Sequence, residues 1–137
     1  VSEPFDSTTL LDLARSVREL AYAPYSRFQV GAALQTGDGC VFTGCNVENA
    51  AYGLCNCAER TALFSAIAAG YKPGDFIAIA VIADTPEPVT PCGSCRQVLA
   101  ELCLGDMPVL LANTGGATRQ TTVATLLPDG FRLSPSA

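Results

Sequence analysis

The sequence predicts an α/β layer fold built on a mixed sheet. Three observations carry this expectation. A glycine-rich turn joins two apolar, partly β-branched segments, a continuous apolar run spans Phe76 to Ala83, and helical periodicity recurs before, between and after them. At 137 residues the chain is expected to form one domain, 1–137, long enough to bury a single core. It contains no repeat, no low-complexity segment and no linker.

After a short Pro-containing lead, Leu10, Leu11, Leu13, Ala14, Val17, Leu20 and Ala21 recur at helical spacing, with Ser7, Thr8 or Thr9 available as N-cap. Pro24 is the expected stop, because the residue before a proline avoids the α region. Phe28 to Thr36 and Cys40 to Asn46 read as an antiparallel hairpin about Gly37-Asp38-Gly39, a turn rich in residues that tolerate positive φ. Asn46 to Gly53 is polar and small, so it should be a loop delivering the chain to Cys57. Ala58 to Ala69 then sets Ala62, Leu63, Ala66 and Ile67 on one helical side, and Gly70 is placed to cap the C-terminus.

The run from Phe76 to Ala83 is expected to be covered on both faces, which puts the centre of the sheet there. Proline-rich Thr85 to Pro91 cannot join a regular element, and after Cys92 the spacing of Val98, Leu99 and Leu102 suggests another helix. Val109 to Ala112 reads as a short strand, Asn113 to Ala117 as a Gly-Gly turn and Val123 to Leu127 as a helical turn, while the Pro- and Ser-containing end should fray. The order helix, hairpin, helix, strand, helix, strand calls for right-handed crossovers.

Composition narrows the function. Charged residues make up 15% and hydrophobic residues 49%, against a usual charged share of about 25%, so apolar surface is available for subunit contacts and an oligomer is expected. A net charge of −5 opposes phosphate-backbone binding, so no nucleic-acid partner is expected. No apolar run reaches the ~18 residues of a membrane span, and no signal-peptide pattern opens the chain, which reads as soluble and cytoplasmic. Seven cysteines, an odd number, favour metal binding over a disulfide framework in a reducing compartment. The complete absence of histidine then excludes any histidine-based triad and restricts a zinc site to cysteine or carboxylate ligands.

Cys57-Ala58-Glu59-Arg60 and Pro91-Cys92-Gly93-Ser94-Cys95 meet that restriction. Cys57, Cys92 and Cys95 fall at expected helix starts, where backbone N–H groups and the helix dipole favour thiolate. Three protein ligands leave the fourth tetrahedral position of zinc open to water, as catalytic sites do, whereas structural sites close it. Glu59, beside the first ligand, is suited to move protons there. Arg60 is suited to offset the charge of an all-thiolate site by donating to sulfur.

Cys-Ala-Glu followed by Pro-Cys-x-x-Cys resembles the zinc-dependent nucleoside deaminases, in which the glutamate is acid/base and not a ligand. Tyr22-Ala23-Pro24-Tyr25-Ser26, Phe28 to Ala33, Gly44 to Asn49 and Cys57 to Ala62 extend the similarity to the small homotetrameric cytidine deaminases, over roughly residues 10 to 131. The resemblance implies a three-layer α/β/α fold with a five-stranded mixed sheet and one Zn2+ per subunit. It implies hydrolytic deamination of cytidine and 2′-deoxycytidine in pyrimidine salvage, by a homotetramer with shared active sites. Phe28 would contact the nucleoside, Asn46 and Glu48 would bond the ribose hydroxyls, and Ala58 would offer backbone to the pyrimidine. Phe131 would stack on a base in a neighbouring subunit.

Each of these residues also admits a plainer role. The cysteine trio taken alone fits a structural zinc site, an interaction module or reduced core thiols, but Glu59 and the paired helix starts would then be coincidences. Without the resemblance, Phe28 reads as a core aromatic, Asn46 and Glu48 as a solvated loop, and Arg60 as a surface cation. Cys40, Cys45 and Cys103 read as small buried hydrophobes, and Cys55 as a spare or oxidation-sensitive thiol outside the metal set. A related enzyme acting on another aminated substrate, such as an antibiotic nucleoside or a nucleotide, would share the zinc residues but need a different pocket; Asn46 and Glu48 argue for an unphosphorylated ribose, since a nearby carboxylate repels phosphate.

Overall fold

Asp6, rather than Ser7, Thr8 or Thr9, caps the first helix in the computed structural model, which describes residues 4–133. Helix α1 spans Ser7–Arg18, and the Asp6 carboxylate accepts the N–H groups of Thr8 and Thr9 at 3.0 and 3.4 Å. The hydroxyl-bearing residues lie inside the first turn, where they cannot cap it. Leu10, Ala14 and Val17 form the buried stripe. The helix stops at Arg18, six residues before Pro24, so the proline is not what ends it. The chain has to extend there: Tyr22 N donates to Asn46 O at 3.0 Å and Tyr22 O accepts from Glu48 N at 2.8 Å. Leu20, expected on the buried side, is left exposed.

Five strands follow: β1 Val30–Thr36, β2 Val41–Cys45, β3 Phe76–Ala83, β4 Pro108–Asn113 and β5 Thr118–Thr122. Their spatial order is β2-β1-β3-β4-β5, so the apolar run of β3 holds the centre. β1 is antiparallel to β2 and β3, β3 is parallel to β4, and β4 is antiparallel to β5, which makes the sheet mixed. The Thr-Arg-Gln-Thr-Thr sequence of β5 has no apolar pattern, and only Thr121 of it is buried. It forms as an edge strand because it continues the turn out of β4, and residue pattern alone did not reveal it.

Helices α2 Ala58–Ala68, α3 Gly93–Leu102 and the single turn α4 Val123–Leu126 lie against one face of the sheet. There Val30, Ala32 and Leu34 of β1 join Ile79, Val81 and Ala83 of β3 and Val109 and Leu111 of β4. The alternate residues, Ala33, Ala78, Ala80, Ile82, Leu110 and Ala112, face α1 with Phe5, Leu10 and Ala14. The period-two alternation of strands therefore yields three layers. The α1 face is lined by small side chains, and a Cβ built on Gly31 would lie 2.0 Å from Ala14 O, so α1 packs at a distance only glycine permits.

Gly70 follows α2 at φ +103°, the left-handed conformation of a helix C′ residue. Ala62, Leu63 and Ala66 are buried as expected, with Ala58 and Glu59 beside them, but Ile67, expected on the same side of the helix, is exposed. The segment expected as plain loop after Asn46 is partly ordered by backbone pairing of Val47 with Tyr22 and Asn56 and by a 3-10 turn at Tyr52–Leu54. Cys103 is buried as expected, but Cys45 is half-buried and Cys40 is exposed at the hairpin end. The chain end expected to fray, from Ser134 onward, lies outside the described residues.

Candidate active site

Two helix starts converge on three sulfurs. Cys57 is the N-cap of α2, Cys92 is the N-cap of α3, and Cys95 lies in the first turn of α3. Neither cap side chain accepts a backbone N–H of its own helix, which leaves both sulfurs available to a ligand. The three Sγ atoms lie within 4.8 Å of one another, with Cys57 and Cys92 3.6 Å apart. Tetrahedral zinc with Zn–S bonds of about 2.3 Å needs sulfurs roughly 3.8 Å apart, so the donor set fits the ion in both chemistry and spacing.

Electrostatics favour thiolate at Cys57. The Cys57 thiol is lowered to about 5, first by hydrogen bonding from Cys95 and then by Arg60 and Cys92, against the opposing effect of burial. Cys95 is held up, first by the same bond to Cys57 and then by burial. Arg60 Nη2 donates to Cys57 Sγ at 3.2 Å, and that bond, ahead of a lesser one to Cys95, raises the guanidinium's own pKa and keeps it charged.

Glu59 is the second residue of α2 and only 4% exposed. Burial pushes its carboxyl up to about 7, with the Cys57 thiolate adding to the rise and its own backbone N–H and the Cys95 thiol opposing it. A carboxyl that titrates near neutrality can both accept and return a proton. It faces a cavity of about 170 Å³ whose wall includes Phe28, Val30, Asn46, Cys57, Ala58 and Cys92.

What positions this corner is close packing of α2 on β2. A Cβ on Gly44 would sit 2.4 Å from Ala58 O and 2.5 Å from Ala62 N, so glycine lets the first turn of α2 rest directly on the strand. Asn56 Nδ2 donates to Thr61 Oγ1 at 3.0 Å, bracing the approach to Cys57.

The sequence profile described as the cytidine and deoxycytidylate deaminase zinc-binding region matches residues 6–111. The chain belongs to this family. A cytidine deaminase of Sporosarcina psychrophila is 54% identical over 126 residues, covering 92% of this chain and 91% of that protein. One of Halalkalibacterium halodurans is 57% identical over 126 residues, covering 92% and 94%. The crystal structure of a cytidine deaminase from Burkholderia pseudomallei superposes with a TM-score of 0.91 at 60% identity, covering 93% of this chain and all of that one.

The zinc-binding deaminase fold thus brings Cys57, Ala58, Glu59, Arg60, Cys92 and Cys95 together with Phe28 and Asn46. Phe28 is 41% exposed on the cavity wall rather than packed in the core. Asn46 Oδ1 accepts Val30 N at 2.8 Å and its Nδ2 donates to Phe28 O at 2.7 Å, so the amide already braces both neighbours. Glu48 is outside the cavity wall and lines a separate hollow with Tyr25, Ser26, Asn49, Tyr52 and Cys55. Its carboxylate accepts the N–H groups of Tyr25 and Ser26 at 3.0 and 3.1 Å and the Ser26 hydroxyl. The Ser26 bonds, followed by Tyr25, hold its pKa below the ordinary value. Phe131 is not on the wall either; its ring is exposed and its carbonyl accepts from Gln97 Nε2 at 3.2 Å. Val30, Val89 and Thr90, none of them expected at the site, complete the wall; the place of Val89 and Thr90 just before Pro91-Cys92 is the signal that points to them.

No helix among the described residues is long and apolar enough to cross a membrane.

Proposed function

We propose that this chain hydrolytically deaminates cytidine and 2′-deoxycytidine to uridine and 2′-deoxyuridine, releasing ammonia, as a cytoplasmic enzyme of pyrimidine salvage. The observation that carries the reading is a buried carboxyl raised to about 7, on a cavity wall shared with two members of a three-thiol cluster. Cys57, Cys92 and Cys95 hold one zinc per subunit. Bound zinc supplies Lewis acidity at the cavity wall, which makes water a nucleophile near neutral pH.

Glu59 takes one proton from that water as its oxygen bonds to C4 and delivers it to the ring nitrogen, then takes the remaining hydroxyl proton and passes it to the exocyclic amine as the C4–N bond breaks and ammonia leaves. Arg60 tempers the thiolate charge and keeps Cys57 deprotonated. Phe28 supplies an apolar wall for the pyrimidine, and the backbone of Ala58, at the start of α2, meets its amide edge. Asn46 retains one N–H and one lone pair beyond its two backbone bonds, and Glu48 has lone pairs to spare; both can bond ribose hydroxyls.

A cavity of about 170 Å³ is below the roughly 300 Å³ at which ligand pockets begin, so one subunit encloses only part of a nucleoside. This supports a homotetramer of single-domain subunits in which Phe131 of one subunit covers the site of the next. The exposure of Phe131, and of Tyr22, Tyr25 and Tyr52, supports the same assembly.

The decisive experiment follows ultraviolet absorbance of cytidine, deoxycytidine, cytosine and cytidine monophosphate with purified protein, with a zinc chelator as control. Conversion of the two nucleosides, sensitive to chelator, is the expected result. Unchanged cytidine absorbance with zinc-loaded protein would overturn the reading. Solution mass corresponding to four subunits tests the assembly, and a stable monomer with full activity would remove the shared site.

A further inference from the structure

Arg96 sits one residue beyond Cys95, yet its side chain serves backbone on the other side of the ligands. Its Nε donates to Pro91 O at 2.8 Å and its Nη1 donates to Leu126 O at 2.9 Å, in a partly buried setting. Pro91 is buried, and its carbonyl belongs to the peptide that enters Cys92. Cys92 is the most exposed of the three thiols, Cys57 being half-buried and Cys95 buried. The thiol least held by packing is therefore preceded by a carbonyl held by a guanidinium.

The rest of the loop is anchored farther away. Asn113 Nδ2 donates to Pro86 O at 3.1 Å, and Val89 N reaches Ala112 O at 3.5 Å. Arg96 is the anchor adjacent to the ligand itself. A guanidinium presents its donors in a rigid planar fork, so two carbonyls bound to it are fixed relative to each other, which an ammonium on a flexible stem cannot do. Leu126 is the last residue of α4, which packs on α3, so the Pro91 peptide is referenced to the helical layer and not only to its own loop.

We infer that Arg96 is a positioning residue of the zinc site, setting the orientation of Cys92 by tying the Pro91 carbonyl to the end of α4. The inference rests on Cys57, Cys92 and Cys95 holding zinc. Partners outside the ligand shell typically change metal affinity by about 10- to 100-fold when removed, by letting a ligand reorient.

The opposite end of α3 provides an internal control. Arg132 Nη2 donates to Ala100 O and to Cys103 O, the latter at 3.3 Å, tying the C-terminal segment to the last turn of the helix. This tie also docks the terminal segment on α3, but it touches no backbone beside a ligand. Loss of Arg132 should loosen docking without loosening zinc.

The test measures zinc release from the loaded full chain to an excess of coloured chelator, well below the unfolding temperature, with thermal unfolding recorded alongside. Arg96→Gln should release zinc about 10-fold faster or more. Arg96→Lys, which keeps the charge but reaches one carbonyl, should fall between it and the wild type. Arg132→Gln should melt lower and release zinc at the wild-type rate. Wild-type release from Arg96→Gln, or the same acceleration in Arg132→Gln at an equal loss of melting temperature, would overturn the inference. If Arg96→Gln does not fold, Arg96→Lys decides, and release from it at the wild-type rate counts against the bridging role. A wild-type chain that neither purifies with zinc nor takes it up overturns the zinc reading itself. Zinc-bound wild type with unaffected variants removes only the role of Arg96.

Discussion

Arg60 Nη2 lies 3.2 Å from Cys57 Sγ, so a cation on the first turn of α2 is bonded to a sulfur of the cluster on which that helix begins. Its Nε is buried without a hydrogen-bond partner among the described residues, so the guanidinium is held there by sulfur and packing. Removing it leaves the thiolates more anionic, and it also removes a charge that lowers the Glu59 pKa. Both changes make ionisation in the cavity harder. The acidic limb of the pH–rate profile of Arg60→Ala should therefore move to higher pH while the circular dichroism of the fold is kept. An unchanged profile would show that the contact has no electrostatic role.

Glu59→Gln keeps the shape of the side chain and removes its ability to exchange a proton. It should retain zinc and lose on the order of 10²-fold or more in kcat. Metal analysis beside steady-state kinetics checks this, and near-normal turnover would exclude Glu59 as the proton carrier.

Gly44→Ala probes the packing beneath the site. The new methyl would lie 2.4 Å from Ala58 O, a contact with backbone that no side-chain rotation relieves. Overpacking of this kind costs about 1–3 kcal/mol or more, so the variant should unfold at lower denaturant, and the shifted first turn of α2 should lower zinc content as well. Gly53→Ala, with nothing within 4 Å of its Cβ position, is the matched control and should leave stability near wild type.

Asp38 in the hairpin turn accepts from Thr36 Oγ1, and its two carboxylate oxygens accept from Tyr71 Oη at 3.0 and 2.9 Å. Thr36 first and then Tyr71 hold its pKa below the ordinary 3.8. A depressed carboxylate contributes stability that is fully present above 3.8 and is lost as pH falls from there through its lower folded value. Asp38→Asn should therefore unfold at lower denaturant than wild type at pH 7, with the difference shrinking below pH 4. A difference that persists unchanged at pH 3 would show that ionisation of Asp38 is not its source.

Different physics made different parts legible in advance. β3 and α2 announce themselves because an eight-residue apolar run and a helical spacing closed by Gly70 are local patterns. Cys57, Cys92 and Cys95 stand out because the absence of histidine leaves a zinc site to cysteine or carboxylate ligands and Cys92-Gly93-Ser94-Cys95 has ligand spacing, and Glu59 stands out as the carboxyl two residues beyond Cys57. β5 could not be read this way, since an edge strand facing solvent needs no apolar residues, and the end of α1 was misplaced because backbone pairing of Tyr22 with Asn46 and Glu48 is a contact over more than twenty residues.

By itself, then, the sequence determined the mixed α/β architecture, three thiols suited to a metal and the carboxyl close to Cys57, which follow from residue type and from spacing within each short motif. Only the tertiary structure decided that burial raises the Glu59 carboxyl to about 7, that Asn46 braces Phe28 and Val30, that Glu48 lines a separate hollow, and that Arg96 links the Cys92 loop to α4. Those properties depend on which distant backbone groups lie within hydrogen-bonding reach and on how much water the packed layers exclude. Neither quantity exists until the layers close.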